Sequence, residues 1–155
     1  MKTINELKEE LKKLNSSLEG VIRASGFRDY DDLSGLEYDR TNPEELFLVE
    51  EYRGILDQLE RASSNIGYLT LPIAYSGRLT KQANGRYSCG GYELTSGNGL
   101  EVLEPCEVLN SEGHYIDGYR WTSTRLEHNG EDYYLVGVHV DSLEGMQARI
   151  RERRF

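Results

Sequence analysis

The chain is short of cysteine, proline and basic residues, and each shortage excludes something. Two cysteines, Cys89 and Cys106, are too few for the disulfide framework of a small secreted protein, so reduced thiols and a cytoplasmic location are expected. No apolar run approaches the roughly 20 residues a membrane helix needs. The start, Met1-Lys2-Thr3-Ile4-Asn5-Glu6, enters a charged amphipathic pattern and not a signal core. Prolines number three, whereas sixteen glycines gather in the second half and mark tight turns. The 18 Lys and Arg are outnumbered by 27 Asp and Glu, leaving a net charge of −9. By segment, the net charge is −6 over residues 1–66, −4 over 67–140 and +1 over the last fifteen. Such a surface repels phosphate, so neither direct nucleic-acid binding nor membrane binding is expected, while a basic protein surface would be attracted.

Catalytic and metal signatures are also missing. There is no G-x-S-x-G elbow, and neither cysteine has a basic or helix-start setting. Cys89, Cys106, His114, His128 and His139 fall in no recognised zinc spacing, so buried thiols and surface histidines are expected, although the fold could still assemble a site. Cys89-Gly90-Gly91-Tyr92 and Ser96-Gly97-Asn98-Gly99 lack the lysine and following helix of a phosphate loop and read as turns. Asp29, Asp31 and Asp32 lack the order of a calcium loop. No enzyme, cofactor or resident metal is expected.

What is present begins with two helices. Thr3 and Glu6 form a capping box, and Ile4, Leu7, Leu11, Leu14, Leu18 and Val21 recur at spacings of three and four up to a stop at Gly26. Leu14, in mid-stripe, is expected inside a packed interface. A link of Asp, Tyr and Gly leads to Asn42 as cap, Pro43 at the first helical position, then Glu44 and Glu45. Leu46, Val49, Tyr52, Ile55 or Leu56, Leu59, Ala62 and Ile66 carry that helix to Gly67. The pair predicts an antiparallel hairpin over residues 1–67, its stripes covered by each other, by a sheet or by a second copy as a homodimer.

Residues 68–155 read as an antiparallel β domain. Candidate strands are 68–74, 78–81, 86–89, 92–95, 100–103, 107–109, 115–116, 120–127 and 132–140. Asn84-Gly85 and Asn129-Gly130 predict two-residue hairpin turns, and Asp117-Gly118 a further turn. A small barrel or curled sheet is expected. Ser142 caps an expected last helix with Leu143, Met146 and Ile150 on its face and Arg149, Arg151, Arg153 and Arg154 at its end. The fold class is thus α+β.

Two binding surfaces suggest themselves. Glu37, Asp39, Glu44, Glu45, Glu50 and Glu51 cluster within fifteen residues and could imitate a phosphate backbone or simply solubilise the hairpin. Tyr115, Tyr119, Trp121, Tyr133 and Tyr134 could fill a core face or, with Tyr119 and Trp121 as anchors, bind a partner.

Ser76-Gly77-Arg78-Leu79, Asn84-Gly85-Arg86-Tyr87, Gly91 to Gly97, Leu100-Glu101-Val102, Arg120 to Glu127 and Tyr133 to Gly137 together resemble a family of small β domains. Such domains are encoded on plasmids, phages and conjugative elements of Gram-positive bacteria. The resemblance covers residues 75–138 and brings no catalytic residue with it. It implies a mobile-element setting, in which an acidic non-enzymatic protein is expected to be an inhibitor. The specific expectation is an anti-CRISPR protein that binds a type II CRISPR effector nuclease, whose channels are basic, and blocks its DNA binding. A protein-interaction or regulatory module of conjugation or plasmid maintenance is the alternative.

Overall fold

The computed structural model describes residues 1–28 and 33–152. Its contacts divide the chain into two units, Met1–Leu71 and Pro72–Phe155. Asp29, Asp31 and Asp32, and the terminal Arg153 and Arg154, lie outside the described residues.

In the first unit, α1 (Ile4–Ser25) starts at a reciprocal capping box. Thr3 Oγ1 accepts the Glu6 N–H at 3.1 Å, and Glu6 Oε2 accepts the Thr3 N–H at 2.6 Å, so two helix-start donors are satisfied. Gly26 closes α1 in the left-handed region at φ 69°. The second helix, α2 (Pro43–Thr70), is capped by Asn42, whose Oδ1 accepts the Glu44 and Glu45 N–H groups at 3.0 and 3.4 Å. It runs past Gly67, the expected stop. One interior glycine costs a helix only about 1 kcal/mol, whereas Leu71 precedes Pro72 and is held extended at φ −68°, ψ 137°. The proline ends the helix, so Tyr68–Thr70 are helical and do not begin a strand.

The end of α1 packs beside the first half of α2, as an antiparallel hairpin requires. Phe27, Leu33, Val49 and Leu56 are buried, with Ile22, Tyr38 and Leu59 packed against them. Phe27 and Leu33 pair as an isolated antiparallel bridge, and the Gly35 N–H donates to the Ser25 carbonyl at 3.0 Å. The α1 stripe divides. Leu11 and Leu18 are half-buried, while Leu14, expected inside the interface, is 51% exposed. Residues three apart differ by about 60° around a helix, so one neighbour covers only half of a stripe this wide.

The second unit holds β1 (Ile73–Arg78), β2 (Thr80–Lys81), β3 (Tyr87–Cys89), β4 (Tyr92–Glu93), β5 (Gly99–Leu109), β6 (Tyr115–His128), β7 (Tyr133–Leu135) and β8 (Gln147–Arg151). They form a five-stranded sheet, β1-β8-β5-β6-β7, and a three-stranded sheet, β2-β3-β4, with every pairing antiparallel. The larger sheet ends at β1 and β7 and does not close into a barrel. Leu79, Leu94, Leu100, Val102, Leu126 and Ala148 centre the core.

Three sequence expectations are corrected here. The segments 100–103 and 107–109 are one strand, as are 115–116 and 120–127. Asp117-Gly118 therefore lies inside β6 and not at a turn. A Cβ on Gly118 would sit 2.6 Å from Val108 Cγ2, so glycine makes room for the neighbouring strand's side chain. The turn is at residues 110–114, where Asn110 Oδ1 accepts the Glu112 and His114 N–H groups at 3.0 and 2.9 Å. The expected C-terminal helix is the strand β8. Ser142 Oγ accepts the Glu144 N–H at 3.2 Å in a local turn, and the chain then pairs with both β1 and β5. Ala148 and Ile150 enter the core while Arg149 and Arg151 take the other face, a period of two that the 3–4 spacing of Leu143, Met146 and Ile150 concealed.

Candidate functional site

β5 and β6 pair continuously from Gly99↔Arg125 to Leu109↔Tyr115. β8 joins β5 only at Glu101 and Val102, and β7 joins β6 only from Leu126 to His128. From Leu103↔Trp121 outward the two strands therefore form a ribbon with no further strand beside it among the described residues. The face that leads from the core carries Glu104, Cys106 and Val108 opposite Arg120, Gly118 and Ile116. The opposite, outer face carries Leu103, Pro105, Glu107 and Leu109 opposite Trp121, Tyr119, Asp117 and Tyr115. Tyr119 and Tyr115 are 72% and 71% exposed, so they fill no core. Glu107 stands directly across from Asp117, a like-charged pair that destabilises a ribbon when nothing cationic covers it.

At its base this face is anchored. Glu101, buried in the middle of the sheet, accepts from Arg149 Nη2 at 3.0 Å and Arg151 Nε at 2.8 Å. The Arg149 guanidinium lies 4.2 Å from the centre of the Trp121 ring. Burial pushes the Glu101 carboxyl pKa up, but the hydrogen bonds from Arg151 and Arg149 outweigh it and hold the group below the ordinary carboxylate range. Trp121 is thereby fixed, while Tyr119 and Tyr115 make no ring contact among the described residues. Sequence reasoning misses this cluster because Arg149 and Arg151 read as the end of a helix. The period-two alternation of residues 147–151 is the available signal.

The other aromatics divide. Tyr133 packs against the core and sits edge-on to Tyr87, whereas Tyr134, opposite Glu127, is exposed. Cys89 is buried, which pushes its thiol pKa up and makes it a poor nucleophile. His114 is exposed beside Glu112, and His128 Nδ1 accepts the Gly130 N–H. Among the described residues, no three His, Cys, Asp or Glu side chains are placed to hold a metal. No described helix is long and apolar enough to cross a membrane.

The predicted acidic residues lie in the other unit, on the connection and the first turns of α2. Half of them are engaged locally. Asp39 accepts the Thr41 hydroxyl and N–H at 2.7 and 2.8 Å, bonds that hold its carboxyl below the usual range. Glu45 accepts the Asp39 N–H at 2.6 Å, and Glu50 pairs with Arg53. Glu37, Glu44 and Glu51 are exposed and form no ion pair among the described residues. The acidic set and the Tyr119–Trp121 pair thus belong to different units.

Residues 77–150 match the family model of a Domain of unknown function (DUF5348). The match runs from the end of β1 to within β8, takes in the whole ribbon and overlaps the segment whose residues resemble small β domains. The helical unit lies outside it. No curated protein and no solved structure matches the chain.

Proposed function

We propose that the chain is a protein-binding module that docks a basic protein surface on the outer face of the β5–β6 ribbon. The observation that carries this reading is the Glu107↔Asp117 pair between the exposed Tyr119 and Tyr115. A Lys or Arg side chain laid there meets two carboxylates and the aromatic faces that favour cations. A two-stranded ribbon is marginal alone in water, and a partner across its face would bury Leu103, Pro105 and Leu109 as well. In its finer form the partner is a type II CRISPR effector nuclease, and the protein an inhibitor from a mobile element. The resemblance of residues 75–138 and the net charge of −9 support that form. A competing contact is the connection before α2 together with its first turns, whose exposed Glu37, Glu44 and Glu51 would stand in for phosphates.

The test is a binding titration of the full chain against a purified type II effector nuclease. Tyr119→Ala combined with Glu107→Gln and Asp117→Asn is expected to weaken binding at least tenfold, about 1.4 kcal/mol. Gln at Glu44, Glu45, Glu50 and Glu51 together is expected to have a smaller effect. The reverse ranking assigns the contact to the helices. No binding of the nuclease by wild type discards the finer form. Affinity capture from a Gram-positive host then decides the broader one, which fails if wild type and ribbon variant retain the same proteins.

A further inference from the structure

The helical unit buries Phe27, Leu33, Val49 and Leu56, yet leaves a second apolar face open. On α1 that face is Leu7, Leu14 and Val21, and on α2 Tyr52 and Ile55, each between 43% and 53% exposed. A groove of 360 Å³, walled by Val21, Ala24, Tyr52, Ile55 and Leu59 among others, runs between the helices. Positions 7, 14 and 21 are one heptad apart, the spacing that a neighbouring helix covers.

Two features select a second copy of this chain as the occupant. The face is self-complementary: with Leu14 at its centre, an antiparallel copy sets Leu14 against its counterpart and Leu7 against the other copy's Val21, an isologous contact. Charge is also segregated along the hairpin. Residues 1–13 hold four lysines and three glutamates, a net of +1, while residues 36–53 hold six carboxylates and two arginines, a net of −4. An antiparallel copy lays the positive end of one hairpin over the acidic end of the other, whereas a parallel copy stacks acid on acid. We propose that the chain forms a two-fold antiparallel dimer in which two hairpins make a four-helix bundle. This contact makes no use of the β5–β6 ribbon, so either assignment can fail without the other.

Analytical ultracentrifugation of the full chain over rising concentration tests it. Wild type is expected to reach twice the 17.7 kDa chain mass. Leu14→Glu is expected to stay at the single-chain mass with unchanged helical circular dichroism, because Leu14 is half-exposed in one chain. Oxidative cross-linking in a Cys106→Ser background fixes the orientation even if Leu14→Glu fails to fold. Leu14→Cys is expected to give a covalent dimer, Leu7→Cys alone none, and Leu7→Cys with Val21→Cys a dimer again. A wild type that stays monomeric, a dimer indifferent to a folded Leu14→Glu, or cross-linking through Leu7→Cys alone overturns the proposal.

Discussion

Glu101 shows how one buried charge is kept in a sheet. It is 5% exposed, and two guanidinium groups satisfy its oxygens while Trp121 covers Arg149. Because its folded pKa is depressed, the stabilisation is fully present above the unfolded value of about 4.3 and is lost as pH falls through the lower folded value. Glu101→Gln leaves two arginines facing a neutral amide and is expected to cost about 3 kcal/mol at pH 7. Thermal melts at pH 7 and at stepwise lower pH check this. The gap between wild type and variant is expected to narrow as pH drops below about 4.3. Equal melting temperatures at pH 7 would remove the triad from the account of stability.

At the scale of elements, the helical unit depends on a close backbone crossing at the end of α1. A Cβ on Gly35 would lie 2.4 Å from the Ala24 carbonyl oxygen and 2.6 Å from the Ser25 carbonyl carbon. Both are backbone atoms, so the link must move away, losing the Gly35 N–H bond to Ser25 and uncovering Phe27 and Leu33. Gly35→Ala is expected to cost about 2 kcal/mol. A Cβ on Gly20 would meet nothing within 4 Å, so Gly20→Ala is expected to stabilise α1 by up to about 1 kcal/mol. Chemical denaturation followed by circular dichroism at the helix band separates the two. A Gly35→Ala protein as stable as Gly20→Ala would show that the crossing does not constrain the hairpin.

At the scale of the whole molecule, the two units differ in what holds them. Among the described residues, the β unit has twelve in one buried cluster, whereas the helical unit has four. A fragment of residues 72–155 is therefore expected to melt cooperatively on its own. A fragment of residues 1–71 is expected to melt at a higher temperature as its concentration rises, since association adds burial to the four-residue core of one hairpin. A melting temperature of that fragment that does not move with concentration would contradict this. Salt separates the two proposed contacts. Raising ionic strength is expected to weaken partner binding at Glu107 and Asp117 strongly and self-association through Leu7, Leu14 and Val21 much less. Partner affinity that does not move between low and high salt would argue against a charge-led contact.

Local signals alone determined much of the fold. The Thr3–Glu6 capping box, the Asn42-Pro43 start, the Gly26 stop and the turns at Gly85 and Gly130 all act within a few residues, so they are legible in a linear text, although Asn84 and Asn129 keep negative φ and neither turn is the expected Asn-Gly type with two positive φ angles. The exposed acidic run from Glu37 to Glu51 was legible for the same reason. Longer-range competition was not. Gly67 yielded to the proline five residues on, and Asp117-Gly118 became strand because Glu107 and Cys106 of β5 pair with them. Residues 147–151 became a strand because β1 and β5 offered them partners on both sides. That pairing alone brought Arg149 and Arg151 to Glu101 and Trp121. Whether a leucine of the α1 stripe is core or surface was likewise beyond the sequence, since periodicity marks a face as apolar but only the position of α2 decides which half it covers.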